Sequence, residues 1–381
     1  MVAQGRVHPA CLGMASYAGP MAAAPDGTAP RPPRPTLPPL EPDVLALLPA
    51  TDEAPRCSAH AAGIGTDPGG TSIAADAVAL VEAPLPWPKP VFANGLLEGF
   101  RPMTNLHVGP TRVLATVPPD ERDQHSSIPI AMHWRVGAGT QSAYFEADGP
   151  DGLRGLFAHL ADQSPADPVP QGAGFASVGY AENERAVLIC TQGSHDVCCG
   201  SEGTRLAADF ESVLRTYRDA DVNEPYTGAP TASGRVAVYR VSHTGGHRFA
   251  PTAMTLPDGR MWAGIEAGEI ATILDRTADA AAMASRCRGW WGAPTGPAQV
   301  AERAVFARVG WPLEDMARQV RFRPSGAGWD VEVVAAEAGR AWTVLVEAGR
   351  TVPTIACRAL GGLPAKPATE FTVTDIWETS K

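Results

Sequence analysis

The stretch Arg185-Ala-Val-Leu-Ile-Cys190-Thr-Gln-Gly-Ser-His-Asp-Val-Cys-Cys199 is an apolar run that stops at a thiol and opens into a polar, glycine-bearing loop. An uninterrupted run of this length, bounded by turn formers, predicts a buried strand ending at Cys190. Thr204 to Tyr217 follows, with Leu206, Phe210, Val213 and Leu214 recurring on one side, which predicts a helix. Val236 to Val241 predicts a second strand, and it ends just before His243-Thr-Gly-Gly-His247. Ala253–Leu256 and Met261–Ile265 flank the turn formers Pro257-Asp258-Gly259-Arg260, a hairpin signal, and a last helix is expected from Glu269 to Thr277.

Two thiols and two imidazoles, Cys190 with Cys199 and His243 with His247, make a donor set for a soft or borderline metal. Both pairs lie just past the ends of expected strands, where ligands gather in open α/β sheets. Gly245 and Gly246 make a poor helix, so the histidines are expected on a loop rather than on one helical face. Glycine there also lets backbone approach a bulky inorganic core. Structural zinc favours cysteines about two to four residues apart and histidines about three to five apart. The histidine pair meets that rule and the cysteine pair does not. A long loop between thiolates suits a larger object such as a [2Fe–2S] core. Two Cys with two His is also the Rieske donor set, but there each loop carries one of each type, unlike here.

Cys190-x8-Cys199, the Gly-Ser-His-Asp segment between them, His243-Thr-Gly-Gly-His-Arg-Phe-Ala-Pro251 and Leu256-Pro-Asp-Gly259 together resemble the sucrase/ferredoxin-like family. The likeness is strongest over about residues 185–265 and does not extend to residues 1–56. It implies a thioredoxin-like ferredoxin fold holding a [2Fe–2S] cluster on two Cys and two His. Carried over residue by residue, the ligands would be Cys190, Cys199, His243 and His247. His195 stands where the family often has Arg. The family match selects Cys199 over its neighbour Cys198, which then reads as a thiol packed under the site; Arg248 could offset the cluster's charge.

Working outward, residues 57–165 predict an N-terminal α/β region. Its strands are expected at Ala77–Val81, Arg112–Val117, Ile128–Val136 and Ser142–Phe145, followed by a helix from Asp151 to Leu160. Ser164–Gly174 is a Pro/Gly linker, and 177–279 holds the thioredoxin-like region. Residues 286–381 predict a small α+β region, with a helix from Pro297 to Val309 and strands at Trp329–Val334 and Ala341–Val346. Residues 1–56, crowded with prolines between Pro30 and Pro39, read as a disordered tail with one helical turn around Val44–Leu48. The fold class is therefore α/β: a thioredoxin-like ferredoxin domain between an N-terminal α/β domain and a small C-terminal α+β domain.

A net charge of -10 argues against nucleic-acid binding, and no apolar stretch is long enough to span a membrane. The start lacks a charged segment followed by an apolar core, and seven unevenly spread cysteines do not form a disulfide framework, so a cytoplasmic setting is expected. Arg318, Arg321 and Arg323 read as a solvated face. His60, His107, His125, His133 and His159 lack partners at metal spacing, Cys57 and Cys287 read as packing thiols, and Trp290 and Trp291 as core. No paired carboxylates for glycoside hydrolysis and no nucleotide loop after a strand are found. The expected function is a one-electron carrier with an unidentified redox partner protein and a pH-dependent potential. Two other readings stay open: a zinc-stabilised or metal-free thioredoxin-like binding module, and a thiol-redox enzyme. The absence of Cys-x-x-Cys counts against the last.

Overall fold

Strands that are apolar at every position, rather than at alternate ones, must be covered on both faces. The first of them is β1 (Ala77–Glu82). Its Ala77, Ala79 and Val81 enter one core with helix residues Leu153, Leu156 and Leu160, while Val78 and Leu80 enter another with Leu188, Met254 and Trp290. The computed structural model describes residues 39–117, 127–194, 196–219 and 236–380. Before β1 come α1 (Pro42–Leu45) and α2 (Cys57–Gly63). After it come β2 (Met103–Leu106), β3 (Gly109–Thr116), β4 (Ile128–Val136), β5 (Gly139–Ala147), α3 (Gly149–Asp162) and β6 (Phe175–Glu182).

The chain continues through β7 (Arg185–Cys190), α4 (Thr204–Asp219), β8 (Val236–Val241), β9 (Thr252–Leu256), β10 (Arg260–Ala263), α5 (Ala267–Leu274), α6 (Ala280–Ala284) and β11 (Cys287–Trp290). It closes with α7 (Gly296–Val309), β12 (Gln319–Ser325), β13 (Gly328–Ala335), β14 (Arg340–Thr354) and β15 (Lys366–Ser380). β1 to β11 form one eleven-stranded sheet in the order β11-β10-β9-β7-β8-β3-β1-β4-β5-β6, with β2 attached to β3. β12 to β15 form a second, antiparallel sheet.

Two blocks of the large sheet meet at a narrow seam. β3 and β8 pair at Thr116 and Val241 alone. Ser242 N–H donates to the Ala115 carbonyl at 2.9 Å, and Ala115 N–H donates to Ser242 Oγ at 3.1 Å. On the α4 side of β7, Val187 and Ile189 pack with Leu206 and Phe210 of α4, Ile270 of α5, Val305 of α7 and Trp342 of β14. Asp258-Gly259 makes the β9–β10 turn, where Gly259 has φ 69° and lies against the indole of Trp291.

The mixed α/β composition and the strands expected around both residue pairs are present. Several elements lie beyond the sequence reading. β6 has no buried alternation to betray it, since only Phe175 of it is buried. β12 is exposed at every position but Val320, and β15 is polar enough to read as loop. Residues 40–56 read as tail, yet Val44 of α1 is buried. The arginine run is also different: Arg321 and Arg323 are exposed, but Arg318 is buried in an ion cluster with Glu302 and Glu314. The buried Arg260 completes that cluster from β10, and it had no sequence signal because its partners lie 42 and 54 residues away. Among the described residues no helix is long and apolar enough to cross a membrane.

Candidate metal centre

β7 and β8 run parallel, and Cys190 sits in register opposite Val241. The chain therefore leaves both strands on the same rim, carrying Cys190 from one and His243 from the other. Thr191 N–H donates to the Val241 carbonyl at 2.9 Å, which extends the pairing past the strand ends. Cys190 Sγ lies 3.7 Å from the Ser242 carbonyl oxygen, directly before His243.

The loop after Cys190 turns at Gly193 and Ser194 and then winds into helix sooner than a loop reading implies. Cys199–Gly203 forms a wide π-type turn that runs into α4. Gly203 is the residue that permits it, because a Cβ there would meet the Cys190 carbonyl oxygen at 1.9 Å. The turn brings Cys199 back to Cys190, and the two thiols hydrogen-bond. That bond pulls the Cys190 thiol down to about 7 against the opposing effect of burial, helped by the backbone amides of Thr244 and Gln192 and by Arg288. The same bond, together with burial, pushes Cys199 up. The pair is thus arranged to hold one negative charge between two sulfurs.

Arg288 of β11 is fully buried beside this pair. Burial lowers its guanidinium to about 10, while the Cys190 and Cys199 sulfurs favour its charged form. Its Nη1 donates to the Thr244 carbonyl at 3.2 Å and its Nε to Thr71 Oγ1 at 3.1 Å. Gly245 and Gly246 both take left-handed backbone, φ 70° and 62°. A Cβ on Gly246 would lie 2.6 Å from the Arg288 guanidinium carbon, so the glycine is required by backbone and by neighbour alike. The sequence gives no signal for Arg288, whose role comes from a strand far along the chain.

Both histidines are held through Nδ1. His243 Nδ1 lies 2.7 Å from Ser242 Oγ, and its ring packs edge-on against Phe92 at 5.9 Å between centroids. His247 Nδ1 lies 2.9 Å from Asp196 Oδ2. Burial works against ionisation of Asp196, but the bond from His247 and the Cys198 amide win and hold its carboxyl at about 2. A carboxylate that fixes the ring orientation of a histidine is the usual outer partner of a metal-binding imidazole.

A second group of donors lies alongside. Cys57 of α2, Asp196, Cys198 and Cys357 place their ligand atoms within 4.8 Å of one another. Cys57 Sγ is 3.7 Å from Cys198 Sγ, 3.4 Å from Asp196 Oδ2 and 3.4 Å from His247 Nδ1. Cys198 Sγ is 3.4 Å from Cys357 Sγ. Burial, then Asp196 and Cys198, push the Cys57 thiol far up. Cys198 is fully buried, as a packed thiol should be, but its neighbours are other thiols. Read singly, Cys57 and Cys357 look like packing residues, and only the fold brings them together. His195, His125 and Cys11 lie outside the described residues.

A cleft of about 500 Å³ opens beside the Cys190–Cys199 loop, lined by Leu85, Trp87, Gln192, Ser194 and Val197 among others. No curated protein and no solved structure matches the chain. The family model for sucrase/ferredoxin-like proteins does match, over residues 84–289, which takes in the chain from two residues past β1 almost to the end of β11 and with it Cys190, Cys199, His243 and His247. Spanning more than half of the chain, that match shows that the protein belongs to the sucrase/ferredoxin-like family.

Proposed function

We propose that the protein is a one-electron carrier that holds a [2Fe–2S] cluster on Cys190, Cys199, His243 and His247. The observation that carries this reading is the shared rim: β7 and β8 run parallel and end side by side, a hydrogen-bonded thiol pair following from one and His243 from the other, with both imidazoles anchored through Nδ1. The chemistry of the donor set fits the group: Cys190 is drawn toward its thiolate, the paired glycines let the Arg288 guanidinium approach the loop, and Arg288 supplies a buried positive charge. When bound, the cluster would accept and release single electrons, with two neutral imidazoles in place of two thiolates raising its potential over an all-Cys centre.

The chain's own residues do the rest. Asp196 and Ser242 hold the two rings through Nδ1, so in this reading Nε2 of each would be the ligating atom. Arg288 opposes the negative charge of the thiolates and favours the reduced state over a site without it. The order β10-β9-β7-β8, with β7 and β8 parallel and β9 antiparallel to β7, supports a thioredoxin-like layout for this half. The single β3–β8 residue pair supports treating the preceding α/β region as a separate module. Leu85 and Val197, both exposed at the cleft beside the loop, are suited to contact a redox partner protein.

Purification without oxygen tests the reading. A brown protein with two irons and two sulfides per chain, and an electron-spin signal on one-electron reduction, is the expected result. A colourless protein that takes up no iron and sulfide on reconstitution would sink it.

A further inference from the structure

We propose that Cys57, Asp196, Cys198 and Cys357 form a second, closed metal site that binds one zinc ion beside the proposed electron-carrying centre, with Asp196 also holding His247. A zinc–sulfur bond of about 2.3 Å sets the sulfur–sulfur edge of a tetrahedral site at about 3.8 Å, and zinc–oxygen bonds of about 2.0–2.2 Å make the sulfur–oxygen edges a little shorter. Cys57 to Cys198 is 3.7 Å, Cys198 to Cys357 is 3.4 Å, and Cys57 to Asp196 is 3.4 and 3.6 Å to the two oxygens. All four ligand atoms lie within 4.8 Å of one another. These separations are those of donors around a common ion, met here by side chains from three distant parts of the chain.

Hydrogen bonding alone gives a poor account of the group. Cys57 has one thiol proton but faces Asp196 Oδ1 and Oδ2, Cys198 Sγ, His247 Nδ1 and the His247 carbonyl, all within 3.8 Å. One proton can serve one of them, and a thiol is a weak donor. A dication would satisfy three sulfurs and a carboxylate at once, releasing the thiol protons to solvent as it enters. Asp196 is oriented for it: Oδ1 takes the Cys198 N–H at 2.8 Å and Oδ2 takes His247 Nδ1 at 2.9 Å, leaving lone-pair capacity on both oxygens. The nearby Arg248 guanidinium offsets the charge that three thiolates and a carboxylate would leave on the ion. Three thiolates with a carboxylate oxygen suit zinc better than copper(I), which favours sulfur alone, or magnesium and calcium, which favour oxygen.

The site does not depend on the iron–sulfur reading, and the test separates them. The full-length protein is incubated with zinc chloride, dialysed, and assayed for zinc and iron together. One zinc per chain is expected, with X-ray absorption at the zinc edge reporting three sulfurs and one oxygen. Cys357→Ser, at a half-buried position, should lose at least 90% of that zinc, with circular dichroism and iron content unchanged, and Cys57→Ser should lose zinc to the same extent. No retained zinc in the wild type, or full retention in folded Cys357→Ser, overturns the proposal. So does a two-sulfur, two-nitrogen zinc signal, which would place the ion on Cys190, Cys199, His243 and His247. Iron lost in step with zinc overturns it as well, because the three sulfurs would then belong to the iron centre.

Discussion

Cys198 and Cys199 are adjacent in the chain and face different partners: Cys199 hydrogen-bonds with Cys190, and Cys198 lies 3.4 Å from Cys357 and 3.7 Å from Cys57. Successive residues in a helical turn project about 100° apart, so one turn can feed two neighbouring groups of donors. Cys199→Ala is therefore expected to abolish the visible absorption of the anaerobically purified protein, whereas Cys198→Ala leaves it nearly intact. Equal loss in the two variants would show that the thiols act as one set.

The Asp196 carboxylate holds His247 through Nδ1 at 2.9 Å. Outer partners of metal-binding histidines typically contribute 10–100-fold to metal affinity. Asp196→Ala should weaken iron retention by about that factor, read by the rate at which a chelator bleaches the protein. Bleaching as slow as in the wild type would remove Asp196 from the account of the site.

Gly246 has φ 62° and abuts the Arg288 guanidinium. An L-residue there carries about 1–2 kcal/mol of backbone strain, and the methyl also displaces a buried cation. Gly246→Ala is expected to lower unfolding stability by at least about that much and to perturb the visible spectrum. Gly268→Ala is the control, because a Cβ there meets nothing within 4 Å.

Arg260 and Arg318 share Glu302 and Glu314 in a fully buried cluster, with Arg260 bidentate on Glu302 at 2.8 and 2.9 Å. Removing one partner leaves uncompensated buried charge, which typically costs about 3–5 kcal/mol. Glu302→Gln should shift the denaturant midpoint accordingly while leaving the slope of the transition unchanged.

His133 is buried beside Ser142, Glu184, Tyr144 and Tyr239, and burial lowers its pKa to about 3. Glu184 Oε2 at 3.6 Å favours a charged ring, but its own carboxyl is pushed up by burial, and desolvation prevails. As pH falls, the unfolded chain takes up this proton first, near 6.5. The contribution of the neutral ring is thus complete above about pH 6.5 and is lost progressively down to about pH 3, by up to about 1.4 kcal/mol per unit. Denaturation of His133→Gln between pH 7 and 5 should show a flatter profile than the wild type.

Much of this molecule can be read from local pattern. Runs such as Ala77–Val81 and Arg185–Ile189 announce strands because each is covered on both faces, and Leu206, Phe210 and Leu214 announce α4 by their spacing. The positions of Cys190 and His243 are legible because each closes or closely follows an apolar run that forms a strand. What escapes is whatever depends on distant chain. β15 and β12 are largely polar ribbons that give the core only a few partly buried side chains, Val320 from β12 and Phe371, Val373 and Ile376 from β15. Arg288 gains meaning only when β11 joins the sheet beside β10. Cys57 and Cys357 are isolated thiols until the fold lays them 141 and 159 residues from Cys198 in sequence but within 3.7 Å in space.

The seam at Thr116 and Val241 has a consequence for dissecting the molecule. Ala115 N–H grips Ser242 Oγ, and the same oxygen meets His243 Nδ1. The imidazole is thus steered from β3, a strand that belongs to the other block of the sheet. A shortened fragment beginning at β7 would keep all four of its proposed iron-binding residues and still lose the grip that aims one of them. The smallest piece able to reproduce the colour and potential of the whole protein must therefore include β3.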